Sequence, residues 1–395
     1  MFKKYNLRSY NYALVTLVVI TSIFGLLIIN SADSSYTVKQ AGGIVMALLW
    51  MTFLSFVDYH FILKYYRVLY ILLVLLLVGV KLFGVSAGGA TRWLGSGAFR
   101  IQPSEMGKLM LILFLAQLLY TNKGKLNSWK FLVFVNAILA VPLLLIVSQP
   151  DLSQTILLFL IMFVVLYTAG FPYKKLGKIM MVAVPVAVGL FIYIQNPNQK
   201  LLKPYQWRRV MAFINPENYD DNVYQQKYAV QAIGSGGLTG KGLGNDDPSS
   251  LLNSNYIAEA HTDFVFAALG EQLGFIGSII AIGLLAAIVF VCIYIAIKTR
   301  DYAGRLIVIG IASYIGFQTF FNIGVVTQLL PNTGLALPFF SYGLSSLITL
   351  YTSMGIVLNI SLQNGQGQNK DLFISGIVDI EEVRDDEKKT HRLRL

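Results

Sequence analysis

The stretch Glu259-Ala-His261-Thr-Asp263-Phe-Val-Phe-Ala267 places three ionisable side chains directly before an apolar run that covers residues 264–297. About 20 apolar residues of α-helix cross a hydrocarbon core, so this run alone predicts a helix embedded in a membrane. A carboxylate at the edge of such a helix is costly and is commonly kept for function. The alternative is that Asp263 or Thr262 caps the first turn of the helix.

Composition extends this prediction to the whole chain. Of 395 residues, 55% are hydrophobic and 13% are charged, and the mean hydropathy is +0.62. These values are typical of an all-α, polytopic membrane protein. The runs long enough to span a membrane are ten: 12–30, 38–56, 67–83, 105–120, 132–148, 154–171, 179–195, 264–297, 304–327 and 340–361. The eighth is long enough to be tilted, or broken near Gly270 or Gly274.

The distribution of Lys and Arg predicts the orientation. Ten spans place both termini on one side, and if that side is cytoplasmic, the inner segments carry fourteen Lys and Arg residues against five in the short outer segments. Inner loops are rich in these residues, so we expect both termini inside and residues 196–262 as a large extracytoplasmic loop between spans seven and eight. Residues 1–363 form one predicted transmembrane domain, and 364–395 a flexible cytoplasmic tail.

Charge and cysteine content exclude other classes of protein. The net charge of +11 is explained by the inner lysines, which also favour anionic membrane lipids, and it does not predict nucleic-acid binding. The lone Cys292 lies within a span and excludes a disulfide framework. The run Gly234 to Gly244 does not match a phosphate-binding P-loop, because Ser235 stands where a Gly is needed and Gly242 where Ser or Thr is needed.

Polar residues gather at the predicted outer ends of the spans. A transporter would scatter them through broken helices of two matching halves, so the pattern favours a site at the outer surface. Three segments contribute to it: 88–108, 196–262 and 328–343. The third joins the last two spans through two prolines and two glycines. Irregular backbone at membrane depth must line a cavity or be covered by protein.

Basic residues of the first two segments are candidates to bind an anionic group. In the first segment, which is short, topology disfavours basic residues on the outer side. The candidates are Arg92, Arg100, Lys108, Arg208, Arg209 and Lys227. Glu105 and Lys108 lie three apart on one helix face, so a simple ion pair is the alternative for them. Trp93 is either a substrate contact or a member of the aromatic belt at the membrane surface.

These motifs resemble those of the SEDS family of bacterial membrane proteins, which includes RodA, FtsW and SpoVE. The matching stretches are Arg92-Trp93, Arg100 to Lys108, Gln149-Pro-Asp151-Leu, Trp207-Arg208-Arg209, Gln225-Gln226, Gly234 to Gly244, His261-Thr-Asp263-Phe, Gly270 to Gly274 and Pro331 to Gly343. The resemblance implies a ten-helix peptidoglycan glycosyltransferase of the bacterial cell membrane. Such an enzyme polymerises lipid II at the outer leaflet into β-1,4-linked glycan and releases undecaprenyl pyrophosphate.

The resemblance also implies roles for individual residues. Asp263 matches the family's essential aspartate, a general base that takes the proton of the acceptor hydroxyl. Arg100 and Lys108 match the basic pair that binds pyrophosphate. The candidates for positioning the substrate are Arg92, Trp93, Glu105, Arg208, Arg209 and Lys227.

The neighbours of Asp263 leave options open. His261 could orient Asp263 or shuttle protons, or it is a hydrogen-bonded loop residue, and Glu259 could be a second carboxylate. No cofactor is certain, although a divalent cation, Mg²⁺ or Mn²⁺, could bridge Asp263 and pyrophosphate through hard oxygen ligands. Glu271 follows Asp263 by about two helical turns, and its role is left open.

The branch and the partner follow from the resemblance as well. Gln149 is more similar to RodA than to FtsW, which favours cell elongation and shape over a division or sporulation paralogue. Ser153 departs from the family, where many members have Gly at this point. The usual partner is a class B penicillin-binding protein, a transpeptidase. Two other functions stay open: a lipid II flippase and a scaffold for other wall enzymes.

Overall fold

The computed structural model describes residues 10–87, 90–95, 100–149, 151–196, 198–200, 204–215, 220–244, 250–252, 256–257 and 259–364. The predicted flexible tail therefore lies outside the described residues, except for Asn364. The described chain is a bundle of helices with one short antiparallel hairpin. This architecture confirms the predicted all-α membrane class.

The elements follow each other along the chain in a simple order. Within the described ranges the helices are α1 (Tyr12–Ala32), α2 (Thr37–Ser55), α3 (Tyr59–Lys64), α4 (Tyr66–Phe83), α5 (Pro103–Thr121), α6 (Trp129–Ser148), α7 (Leu152–Thr168), α8 (Tyr173–Ile194), α9 (Pro204–Ile214), α10 (Asp220–Ser235), α11 (Val265–Lys298), α12 (Tyr302–Val326) and α13 (Leu344–Asn364). The hairpin consists of β1 (Val85–Ala87) and β2 (Ala90–Trp93), between α4 and α5.

Eight of the described helices are long and apolar enough to cross a membrane: α1, α2 with the turn before it, α4, α5, α6, α11, α12 and α13. They coincide with predicted spans one to five and eight to ten. Helix α7, with 17 residues, and helix α8 occupy the places of predicted spans six and seven. The count of ten spans and their orientation stay predictions.

The helices begin where the sequence supplies suitable first residues. Side-chain oxygens of Asn11, Asp151 and Asp301 accept a backbone N–H of the first turn of α1, α7 and α12, as N-cap residues do. Pro103 opens α5, where its missing N–H costs nothing. The start of α5 places the polar segment 100–102 directly before a largely buried helix.

The long helix α11 is interrupted at Gly274, where φ is +64° and ψ is −156°. This confirms the predicted break. The glycine run after α10 packs into it: a Cβ on Gly236 would lie 2.0 Å from the carbonyl oxygen of Gly270, and one on Gly240 would lie 2.1 Å from that of Gln272. The run therefore serves close backbone packing against α11.

The interior of the bundle is built on α5 and α12. Helix α12 packs against α5, α7 and α11, while α5 also packs against α4 and α7. Polar side chains on these two helices are enclosed by protein: Glu105, Lys108, Gln318 and Asn322 are all buried. Each of them must find partners inside the bundle, because an unpaired polar group there is costly.

Candidate functional site

Asp263 lies in a turn that spans Glu259–Phe264 and leads directly into α11. The backbone N–H groups of Thr262 and Phe264 both donate to the carbonyl of Glu259 at 3.1 Å, and the Thr262 hydroxyl donates to Glu259 Oε2 at 2.7 Å. Phe264 holds the N-cap position of α11, and no side chain caps it. The structure thus gives the N-cap position of α11 to Phe264, and not to Asp263 or Thr262.

Helix α12 holds this turn from inside the bundle. Asn322 Nδ2 donates to the backbone carbonyl of Asp263 at 2.7 Å and to that of Leu335 at 2.6 Å. One helical turn earlier, Gln318 Nε2 donates to the carbonyl of Ala336 at 2.7 Å. Two amide side chains spaced i, i+4 on one helix face thus hold the Asp263 turn and the loop after α12 against each other.

The loop between α12 and α13 also bonds to the turn directly. The Ser341 hydroxyl donates to the carbonyl of Thr262 at 2.7 Å and accepts the N–H of Leu337 at 2.7 Å. The N–H of Tyr342 donates to the carbonyl of His261 at 2.8 Å. The prolines and glycines of the α12–α13 loop predicted an irregular backbone, and the structure covers that backbone with protein, as membrane depth requires.

Gly334 brings this loop close to the carboxylate of Asp263. Its φ is +67°, and a Cβ at this position would lie 3.2 Å from Asp263 Oδ2. Glycine adopts this left-handed conformation without steric cost, and it also leaves room for the carboxylate. The Pro331 to Gly343 motif thus contributes one wall beside the candidate base.

His261 is held among aromatic rings. Its ring stacks on Tyr36 with centroids 4.1 Å apart, and Tyr36 also contacts Tyr342 at 4.8 Å. In the α1–α2 connection, the Ser35 hydroxyl donates to the partly exposed Asp33 and lowers the pKa of that carboxyl, with a smaller contribution from His261. The structure thus places His261 as a packed residue of the turn, while Glu259 is exposed and accepts from Thr262.

Lys108 lies in the interior, with no exposed surface. Its Nζ donates to Glu105 Oε1 and to Gln318 Oε1, both at 2.7 Å, and it lies 4.6 Å from the centre of the Tyr314 ring. Gln154 Nε2 donates to the same Glu105 oxygen. The ion pair that the sequence left as the alternative for Glu105 and Lys108 is therefore present. A contact between Lys108 and pyrophosphate stays a prediction.

Arg92 and Arg100 flank this interior cluster. Arg92 Nε lies 3.7 Å from Asp151 Oδ2, and Gln102 Nε2 donates to the same oxygen at 3.4 Å. Arg100 is exposed, and its carbonyl accepts the Ser345 hydroxyl at 3.4 Å. The first segment is thus joined to the start of α13, at the same end of the bundle as Asp263.

Trp93 ends β2 and is partly buried. Arg208 is exposed on α9, next to Trp207, whose Nε1 donates to the carbonyl of Ile194 at 2.8 Å. Arg209 lies on the same helix, and its side chain is outside the described part of the structure. Lys227 is exposed on α10. Substrate contacts of these four residues stay predictions.

The second segment is fastened to α11 through Glu271, whose role the sequence left open. Glu271 is 1% exposed, and its Oε1 accepts Lys241 Nζ at 2.8 Å. The same carboxylate accepts the N–H groups of Leu251 at 2.9 Å and Leu252 at 3.3 Å. Glu271 therefore holds the glycine run and the chain around residue 251 against the bundle.

Sequence reasoning missed Asn322, Gln318 and Ser341 as supports of the site. The available signal was the pair of amide residues one turn apart in an otherwise apolar span, because polar groups inside membranes are commonly functional. Asp151 belonged to a recognised motif but had no assigned partner. Its contacts with Arg92 and Gln102 explain why a carboxylate stands there.

A metal site is not evident from the donor set. Among the residues that the structure describes, no group of three or more His, Cys, Asp or Glu side chains could hold a metal ion. The carboxylate of Asp263 is a hard oxygen ligand of the kind that Mg²⁺ accepts. A divalent cation at Asp263 would have to complete its coordination with water and substrate oxygens.

Comparison with known sequences gives similarities over nearly the whole chain. The family model of cell cycle proteins that covers FtsW, RodA and SpoVE matches residues 7–366. The probable peptidoglycan glycosyltransferase FtsW of Geobacter sp. (strain M18) is 33% identical over 369 residues, which cover 90% of this chain and 97% of that protein. The protein of the same name from Bacillus subtilis (strain 168) is 33% identical over 391 residues, 94% of each chain.

Solved structures share the fold. A chain of a peptidoglycan synthase complex, described as coordinating polymerization and crosslinking, superposes with a TM-score of 0.75 at 28% identity, over 90% of this chain and 98% of that one. The crystal structure of the Thermus thermophilus rod shape determining protein RodA superposes with a TM-score of 0.64 at 28% identity. That match covers 89% of this chain and 96% of RodA.

Proposed function

Because the chain belongs to the cell cycle protein family of FtsW, RodA and SpoVE, we propose that it is a peptidoglycan glycosyltransferase of the bacterial cell membrane. It uses lipid II as donor and acceptor, forms β-1,4-linked glycan and releases undecaprenyl pyrophosphate. The observation that carries this proposal is the placement of Asp263. Its partly buried carboxylate stands at the start of the apolar helix α11, in a turn held by α12 and by the α12–α13 loop.

The chemistry requires a base and a stabilised leaving group. The donor sugar is joined in the α configuration to pyrophosphate, and the acceptor 4-hydroxyl attacks its anomeric carbon from the opposite face. As the new C–O bond forms, the hydroxyl proton passes to the Asp263 carboxylate. The electron pair of the broken C–O bond leaves with the pyrophosphate oxygen. Nearby cations offset the charge that develops there.

A general base works only from a defined position, since a displacement of about 1 Å can cost roughly 100-fold in rate. The bonds from Asn322 and Ser341 hold the backbone on both sides of the Asp263 side chain. Gly334 leaves the space that the carboxylate occupies. This arrangement supports a base whose location is set by the surrounding backbone.

The proposed cation for the pyrophosphate is Arg100, because it is exposed at the Asp263 end of the bundle. Lys108 reaches the substrate only if its pair with Glu105 opens. In the described conformation it acts on the α12–α13 loop through Gln318, which bonds to Ala336. A divalent cation bound with Asp263 and the pyrophosphate remains part of the proposal. Neither the proton transfer to Asp263 nor the departure of pyrophosphate depends on it.

The test is lipid II polymerisation by the purified protein, with and without a class B penicillin-binding protein, with glycan strands separated on a gel. Asp263→Asn keeps the size of the side chain and removes the base, and we expect a loss of at least about 100-fold. The matched control is Asp33→Asn, which alters a partly exposed carboxylate at the α1–α2 turn and should leave the rate unchanged.

The same preparation separates the other functions. If Asp263→Asn makes strands at the wild-type rate, Asp263 is not the base. If the wild type makes no strands with its partner but moves labelled lipid II across vesicles, it is a flippase. If it does neither and both proteins still assemble, it is a scaffold.

The partner and the branch are finer proposals. A class B penicillin-binding protein is supported by the similarity to a chain of a peptidoglycan synthase complex. Elongation is supported by the resemblance of Gln149 to RodA more than to FtsW. Division is the second candidate, because the curated relatives carry the name FtsW. Expression in cells depleted of either paralogue, scored for rod shape and septation, distinguishes the two.

A further inference from the structure

A cavity of about 850 Å³ opens between α4, α5 and α6, at the end of the bundle opposite Asp263. It is lined by the first turns of α4, the end of α5 with the following loop, and the first turns of α6. Helix α5 has 19 residues and starts at the Asp263 end, so the two sites are separated by roughly 28 Å along its axis. The predicted topology places the cavity on the cytoplasmic side.

The deep part of the cavity is apolar and aromatic. Tyr70 stacks on Phe114 with centroids 4.5 Å apart, and its hydroxyl donates to the carbonyl of Ile138 at 2.9 Å. Ile71 lies on the same wall and is 57% exposed. The bond between Tyr70 and Ile138 ties α4 to α6 and closes the deep end, so the cavity is a groove with a floor.

The mouth of the cavity is basic. Arg67, Lys125 and Lys130 line it at the helix ends, and all three are exposed. Arg67 Nε donates to the hydroxyl of Tyr66 at 3.0 Å, which restrains the guanidinium beside the opening. No Asp or Glu is among the lining residues, and in the described part of the chain these three cations form no ion pair with a carboxylate.

We propose that this cavity binds one anionic phospholipid from the surrounding leaflet, with the phosphate at the three cations and an acyl chain against the aromatic floor. The positive-inside rule accounts for basic residues at this end of the bundle, but not for three of them around one cavity. An anionic headgroup complements this charge. A zwitterionic headgroup would bring an ammonium group to a mouth that has no carboxylate to receive it.

The volume agrees with this occupant, since cavities that hold small ligands measure about 300–1,000 Å³. The depth agrees as well, because Lys130 at the mouth and Ile138 at the floor are eight residues apart on α6, about 12 Å along the helix. The site does not involve Asp263, so it stands independently of the glycosyltransferase proposal.

The test is native mass spectrometry of the delipidated full-length protein in detergent, with phosphatidylglycerol and phosphatidylethanolamine of matched acyl chains. We expect the wild type to retain phosphatidylglycerol preferentially. The cavity triple variant, Arg67→Gln with Lys125→Gln and Lys130→Gln, should bind it roughly 100-fold more weakly, because each basic residue near an anionic surface contributes about a factor of five.

The matched control removes the same charge from the same end, at residues that do not line the cavity: Lys64→Gln with Lys174→Gln and Lys298→Gln. It should keep the preference of the wild type. If the control variant binds phosphatidylglycerol as weakly as the cavity variant does, general surface charge explains the binding and the proposal fails. Equal retention of the two lipids by the wild type also overturns it.

A second variant covers the case in which the cavity triple variant does not fold. Ile71→Trp keeps every charge and fills part of the groove from a side chain that is already largely exposed. It should lower the number of phosphatidylglycerol molecules retained by one, with an unchanged melting temperature. If this variant retains as many phosphatidylglycerol molecules as the wild type, the lipid binds elsewhere and the proposal is overturned.

Discussion

The side-chain amide of Asn322, on α12, donates to the backbone carbonyl of Asp263 at 2.7 Å. The two residues are 59 positions apart in the sequence, with the whole of α11 between them. The same amide donates to Leu335 at 2.6 Å, in the loop after that helix. Asn322 therefore holds the backbone of Asp263, the base of the proposed reaction. It is a positioning residue, and its effect should appear in the rate of polymerisation.

The substitution Asn322→Asp keeps the shape of the side chain and removes both N–H donors. We expect a fall in kcat of roughly 10- to 100-fold, with little change in KM for lipid II. The control is Asn136→Asp on α6, because Asn136 Nδ2 donates only to Leu132 within its own helix, at 2.8 Å. A similar fall in both variants would argue against a positioning role.

Gly334→Ala tests the close approach of the α12–α13 loop to Asp263. Gly334 has φ of +67°, and the added Cβ would stand 3.2 Å from Asp263 Oδ2. Gly237 has φ of +55° with nothing within 4 Å of its added Cβ, so Gly237→Ala carries the backbone strain alone. Both variants should lose about 1–2 kcal/mol of stability. Only Gly334→Ala should lose polymerase activity, and equal activity of the two would contradict this.

Lys108→Met leaves the Glu105 carboxylate buried without its cation. Removing one partner of a buried ion pair costs about 3–5 kcal/mol, so we expect a marked drop in melting temperature. The double variant Lys108→Met with Glu105→Gln should recover most of it. Its activity then decides whether the pair serves the reaction. A folded but inactive double variant indicates that the pair is needed, by contact with substrate or through Gln318 and the α12–α13 loop, and an active one indicates a purely structural pair.

Lys241→Met tests the ion pair that fastens the glycine run to α11. Glu271 would keep its bonds from Leu251 and Leu252 but lose Lys241. We expect a loss of about 3 kcal/mol in unfolding free energy. A double-mutant cycle with Glu271→Gln measures the coupling between the two residues. A coupling indistinguishable from zero would show that the contact contributes nothing to stability.

Gly236→Ala tests backbone packing at the break in α11. The added Cβ would lie 2.0 Å from the carbonyl oxygen of Gly270, whereas a Cβ on Gly234 meets nothing within 4 Å. Gly236→Ala should therefore destabilise the protein by about 1–3 kcal/mol. Gly234→Ala lies within α10 and should be neutral or stabilising by up to about 1 kcal/mol. Thermal unfolding in one detergent compares them, and equal melting temperatures would contradict the packing argument.

Much of the fold was predictable because its signals are local. Runs of apolar residues predicted α1, α2, α4 to α8 and α11 to α13, but not the shorter helices α3, α9 and α10. The longest run predicted a helix that is tilted, or broken near Gly270 or Gly274, and the structure has the break at Gly274. The spacing of Glu105 and Lys108 left an ion pair as one alternative, and the structure contains that pair at 2.7 Å. Each of these inferences needs only residues within one helix, where geometry follows from the spacing along the chain.

The partners across the bundle were not predictable in this way. Glu271 bonds to Lys241, thirty residues earlier, and Arg92 lies beside Asp151. Both pairs depend on which helices and loops are neighbours, and a single sequence does not specify this. The glycine run illustrates the difference: its composition indicated tight turns, but only the structure shows the carbonyl oxygens of α11 against which two of its glycines pack.

The sequence by itself determined that the chain is an all-α membrane protein, that it resembles one family, and that Asp263 is its candidate base. Hydrophobicity and motif spacing are properties of the chain alone, so these conclusions needed no structure. Only the tertiary structure decided what holds Asp263 in place and where Lys108 lies. What holds Asp263 depends on hydrogen bonds from α12 to the Asp263 turn and to the α12–α13 loop. The position of Lys108 depends on the packing of α5 against α12, and neither arrangement exists until the helices pack together.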